Sequence, residues 1–242
     1  MYGRQSFSLP RLTSFVKGLL IVLLASYVLQ LLADNWAQLN LKSLLSLNPQ
    51  SPQLWQFVTY PLVDARDPLF FLFGLLVLWW VLAPFEIGFG AKRTAQLCLV
   101  CVLAASLPAW LIGAGLGRAL GAGYAELSGT GPLWMGVIAA STYLYRDRPI
   151  SFFGLGPITA QQFLLVLLGL SLLMFLASRN LVHFIGDLGG MAGGIGFIYY
   201  LRRPRSGARR PSSKPSRPRG KGFRVIQGGG NKGSDSNKTW LN

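Results

Sequence analysis

His183-Phe184-Ile185-Gly186-Asp187-Leu188-Gly189-Gly190-Met191-Ala192-Gly193-Gly194 lies inside an apolar stretch that runs from about Leu181 to Leu201. A stretch of that length spans the ~30 Å hydrocarbon core of a bilayer as a helix. So many glycines would weaken a helix in water. In a membrane, lipid is as apolar as leucine, and close backbone packing drives helix association instead. Gly189 with Gly193, and Gly190 with Gly194, supply small residues four apart for that packing. Asp187 is the second unusual feature, because an ionisable group in a membrane helix is costly and needs a partner. His183 is the only histidine in the chain and lies one turn away on the same face. A His183–Asp187 pair is therefore expected, with Thr130 or Ser128 of a facing helix adding a hydrogen bond to this polar groove.

Five more apolar stretches precede this one: about Ser14–Ala33, Leu69–Leu82, Thr94–Leu116, Gly131–Tyr145 and Phe163–Ala177. Charged residues make up only 13% of the 242-residue chain, roughly half the share in a soluble domain. The expectation is an all-α integral membrane protein with a six-transmembrane-helix bundle over 14–201. Basic residues set its orientation. Arg4, Arg11 and Lys17 lie before or at the start of the first stretch, Lys92 and Arg93 follow the second, and Arg146 and Arg148 follow the fourth. The alternate loops are poorer in them, so both termini fall in the cytoplasm. Residues 1–13 then form a cytoplasmic N-terminal segment. The external loop 34–68 carries Trp36, Trp55, Phe57, Tyr60 and an amphipathic run, Leu39–Leu47. It lies in the outer headgroup region or packs on its own helices.

Residues 202–242 hold twelve Lys/Arg against one Asp, out of a net charge of +15. This basic tail is too rich in Pro, Ser, Gly and Arg to fold alone. Placed beside a helix end it attracts anionic lipid headgroups, and nucleic acid is not expected as a partner. Cys98 and Cys101 form a CxxC on a strongly apolar segment, without the polar surroundings that metal or redox pairs need. They read as packing residues, with no metal and no cofactor expected.

Several pieces resemble the rhomboid family, six-helix intramembrane serine proteases and their inactive relatives. Trp55-Gln56-Phe57-Val58-Thr59-Tyr60 resembles the family's approach to its second helix. Leu76-Val77-Leu78-Trp79, with Glu86, Gly90 and Lys92-Arg93, resembles that helix and the following turn. Gly136 with Ala139 and Ala140 resembles the fourth helix, and Asp187-Leu188-Gly189-Gly190 with Gly193 and Gly194 the sixth. Gly136 and Ala140 offer a small face, so these two helices are expected to touch through it and the Gly189–Gly194 cluster.

The resemblance implies a Ser nucleophile in a GxSG pattern, a His base before Leu-Gly-Gly, and second-helix Asn and His donors for the oxyanion. Anchored on Gly136, the serine position reads Gly131. Anchored on Gly189-Gly190, the histidine position reads Asp187. Anchored on Trp79, the donor positions read Gly74 and Phe70. This pattern is that of a pseudoprotease binding or regulating transmembrane client proteins, the role that derlins and iRhoms imply by resemblance. The alternative is an active endopeptidase with a displaced Ser128/His183 dyad, each residue about one turn outward of its family position. A transporter is a third reading, with no inverted repeat to support it. The compact six-helix form suggests a bacterial inner membrane.

Overall fold

A computed structural model describes residues 10–37, 39–119, 126–144, 149–151 and 157–203. The expectations for residues 1–9, for Arg146 and Arg148, and for the tail from 204 onward lie outside those residues. The architecture is α1 (Ser14–Leu32), α2 (Leu41–Leu45), α3 (Gln56–Thr59), α4 (Pro68–Phe89), α5 (Ala91–Ala119), α6 (Gly131–Leu144), α7 (Ala160–Ser178) and α8 (Leu181–Arg202). A two-stranded antiparallel ribbon, β1 (Pro149–Ser151) and β2 (Pro157–Thr159), joins α6 to α7. Helices α1, α4, α5, α7 and α8 are long and apolar enough to cross a membrane. α6 has 14 residues, about 21 Å of helix, and is shorter than the bilayer core.

Several helices outrun their sequence-based limits. α4 continues through Pro84 to Phe89 and stops only where Gly90 turns to φ 83°. α5 likewise runs through Pro108. Backbone groups left unpaired in an apolar medium are costly, so membrane helices carry prolines that would end a helix in water.

The centre of the bundle is α8 wedged between α5 and α6. Successive residues on a helix differ by about 100° of rotation, so the four glycines make two rows that face two different neighbours. Gly190 and Gly194 sit against the backbone of Pro132 and Gly136 on α6. Gly189 and Gly193 face Ala104 on α5 instead, where the expectation had the whole cluster facing one helix. A Cβ on any of the four would stand under 3.0 Å from a backbone or side-chain atom of the neighbour. Gly136 is equally tight, against the Gly190 carbonyl and Cys101. Ala140, one turn further along α6, is fully buried. Cys98 and Cys101 are free, buried thiols in this core.

The segment between α1 and α4 packs inward and outward at once. Asn40 caps α2 by accepting from the Ser43 amide at 3.2 Å. Only Leu41–Leu45 of the amphipathic run is helical. Leu47 then pairs with Leu127 through two backbone hydrogen bonds of 2.9 Å. Tyr60 is fully buried, and its hydroxyl donates to the Val102 carbonyl at 3.4 Å. Burial pushes the Tyr60 phenol well above its ordinary range. Trp36, Leu54, Trp55 and Val58 remain on the outside.

Glu86 near the end of α4 closes the start of α1. Its carboxylate accepts from the Phe15 amide at 3.0 Å, the Val16 amide at 2.9 Å and the Thr13 hydroxyl. These are first-turn N–H groups with no partner inside their own helix, and a carboxylate there also opposes the positive helix end. Glu86→Ala is expected to lose about 2–3 kcal/mol, read as a lower thermal midpoint in detergent. Glu86→Gln keeps an acceptor and should lose less. Unchanged midpoints for both would remove this role.

Candidate functional site

The site is a cavity of about 370 Å³ among α4, α6, α7, α8 and the turn before α4. It is built around a tied-down turn. Gln30 on α1 donates its amide to the Asp64 carbonyl and accepts from the Asp64 N–H, both at 3.0 Å. The Tyr27 hydroxyl donates to the Arg66 carbonyl at 3.1 Å. Arg66 then grips the buried Asp64 carboxylate through Nε at 2.9 Å and Nη2 at 2.6 Å. Nη2 also reaches Thr130 Oγ1 at 3.4 Å.

Opposite this turn, residues 126–130 lead into α6. Ser46 donates to the Glu126 carboxylate at 2.5 Å, and the Gly129 amide donates to the Tyr60 carbonyl at 3.1 Å. Gly129 has φ 91°, a left-handed conformation that a side chain would strain. These bonds satisfy non-helical backbone in a buried place. They also set the first residue of α6, Gly131, at the cavity wall.

The four positions singled out by the resemblance meet here. Phe70, Gly74, Gly131 and Asp187 all line the cavity. A Cβ on Gly131 would stand 3.5 Å from Asp187 Oδ1, and one on Gly74 would stand 3.6 Å from Thr130 Oγ1. The four positions share one cavity wall, yet Gly131 has no nucleophile and neither Gly74 nor Phe70 has a side-chain donor.

Asp187 does not pair with His183. Its Oδ2 accepts from Ser171 Oγ of α7 at 2.5 Å, and neither Ser128 nor Thr130 bonds to it. The i, i+4 spacing put both residues on one face, but the carboxylate turns across to the hydroxyl facing it. Asp187 Oδ1 and His183 Nδ1 are buried and have no hydrogen-bond partner among the described residues, as is the case for Trp134 Nε1. Ser128 lies in the loop before α6, lining the cavity with His183, whose ring is beside the Ser128 backbone. Among the described residues no hydrogen bond joins Ser128 Oγ to that ring.

Residues 51–204 match the Rhomboid domain family. The chain belongs to the rhomboid family. No curated protein matches it. With its five long apolar helices, this rhomboid is an integral, multi-pass membrane protein. The family match begins at residue 51 and so leaves α1 and α2 outside it.

The rhomboid cavity has partly exposed apolar walls. Phe70 and Phe73 of α4, and Leu170 and Met174 of α7, line it and are each about half exposed. α7 itself has 6% of its apolar window buried, the least of the long helices. It is held by the Ser171–Asp187 bond and by Phe175 stacked on Phe184 at 5.2 Å. Ser171 and Trp134 were not among the residues expected from the sequence. Ser171 had one signal, a hydroxyl in the middle of an apolar stretch; Trp134 had none.

Proposed function

We propose that this chain is a rhomboid pseudoprotease that binds transmembrane segments of client proteins and holds or escorts them. One observation carries the reading. The two positions where the resemblance places the family's nucleophile and base lie side by side on one cavity wall, and they read Gly131 and Asp187. The apolar, half-exposed walls suit a membrane helix better than a soluble ligand. The competing reading, an active endopeptidase with a Ser128/His183 dyad, rests on their shared cavity wall. It lacks a Ser–His hydrogen bond and second-helix donors.

The rhomboid spans the membrane six times in this reading, with both termini cytoplasmic, in a bacterial inner membrane. α6 is the fourth of these spans. The buried residues 127–130 before it make up the depth that its 14 residues leave. The exposed Trp36, Leu54 and Trp55 lie in the outer headgroup region, and the tail 202–242 meets anionic headgroups on the other side.

A photoreactive amino acid at Leu170 tests the client role in living cells. The expected result is adducts mapped to transmembrane segments of intact membrane proteins. The same residue at Val22, an exposed position on α1, should not give them. Identical adducts from both positions, or none from Leu170, would contradict the proposal.

A further inference from the structure

The wall of the cavity around Gly131 is chemically unfinished. A Cβ placed on Gly131 would have Asp187 Oδ1 at 3.5 Å and Trp134 Nε1 at 3.7 Å. Both atoms are buried and both lack a hydrogen-bond partner. One accepts and the other, an indole N–H, only donates. Buried polar groups are ordinarily paired, so an orphan acceptor and an orphan donor flanking one vacant position need an explanation. Ser171 occupies the other carboxylate oxygen and leaves Oδ1 unpaired on a residue that lines the cavity.

We infer that this pair is a recognition site for a carboxamide side chain, Asn or Gln, carried within a client's transmembrane helix. The inference rests on the client-binding reading and names what that site selects. A carboxamide presents an NH₂ and a C=O side by side. The NH₂ donates to Asp187 Oδ1 while the C=O accepts from the Trp134 N–H. A Lys or Arg would satisfy the carboxylate but bring only donors to the indole N–H. A Ser or Thr hydroxyl bonds back to its own helix four residues earlier, so it gains less from the pair. An Asn has both an NH₂ and a C=O, and a single bond back to its own helix leaves the other group unpaired, which is costly in lipid. The apolar walls formed by Phe70, Phe73 and Leu170 accept the rest of the helix.

The test uses full-length protein in liposomes with single-span Leu/Ala peptides that carry one central Asn, Leu or Lys. Energy transfer between labelled protein and peptide reads binding. The Asn peptide is expected to bind about tenfold more tightly than the Leu peptide, as two intramembrane hydrogen bonds would give. Trp134→Phe and Asp187→Leu should each bring the Asn peptide to within about twofold of the Leu peptide. If a variant does not fold, the comparison of peptides on the unmodified protein decides alone. Equal binding of Asn and Leu peptides, or tighter binding of Lys than Asn, overturns the inference and leaves client binding standing. Retention of the tenfold preference in a folded Trp134→Phe protein also overturns it. Absence of binding by every peptide overturns the client reading as well.

Discussion

Gly194→Leu is expected to abolish recovery of folded, monodisperse protein from detergent. A Cβ at 194 would stand under 3.0 Å from the Gly136 carbonyl oxygen and carbon, which belong to the backbone of α6. Ordinary overpacking costs about 1–3 kcal/mol because side chains shift. Here the obstacle is main chain, and α6 is itself fixed by Cys101 against Gly136 and by the bonds around Gly129. Moving α8 away also loses the contact of Gly189 and Gly193 with α5. Gly190→Leu, which meets the Pro132 carbonyl, should behave alike. Gly196 on the same helix has nothing within 4 Å, so Gly196→Leu should fold normally. Folded protein from Gly194→Leu, or loss of folding in Gly196→Leu, would contradict the wedge of α8 between α5 and α6.

A rebuilt site is expected to gain serine chemistry at residue 131. Gly131→Ser has room, because its Cβ meets only ordinary van der Waals neighbours, and it points at residue 187. Asp187→His would place an imidazole there, beside the Ser171 hydroxyl. The double variant should react with a fluorophosphonate at residue 131, and the natural chain should not. Adding Gly74→Asn restores one oxyanion donor where a Cβ meets nothing closer than 3.6 Å. A single such donor is worth about 10²–10³ in rate, so the triple variant should label about a hundredfold faster. Labelling of the natural chain, or none in a folded triple variant, would show that these positions do not form a degenerate site.

Much of this was legible in the sequence. The six apolar stretches became the six longer helices, and the helix of the 189/190/193/194 glycines proved central. What the sequence did not carry was direction around each helix. It did not separate the two glycine rows, nor turn Asp187 away from His183 toward Ser171. The grip of Arg66 on Asp64 was not legible either, because nothing local in the chain says that Gln30 and Tyr27 on α1 will bury that turn. Glu86 was seen as part of the resemblance, and its cap on α1 joins residues seventy or more apart.

Proteolysis in liposomes tests the central claim most directly. The natural chain, Ser128→Ala and Ser171→Ala would each be incubated with single-span substrates, beside an active rhomboid. The account predicts no cleavage by any of the three while the active rhomboid cleaves. Cleavage by the natural chain that disappears in Ser128→Ala would establish the displaced dyad and contradict the pseudoprotease.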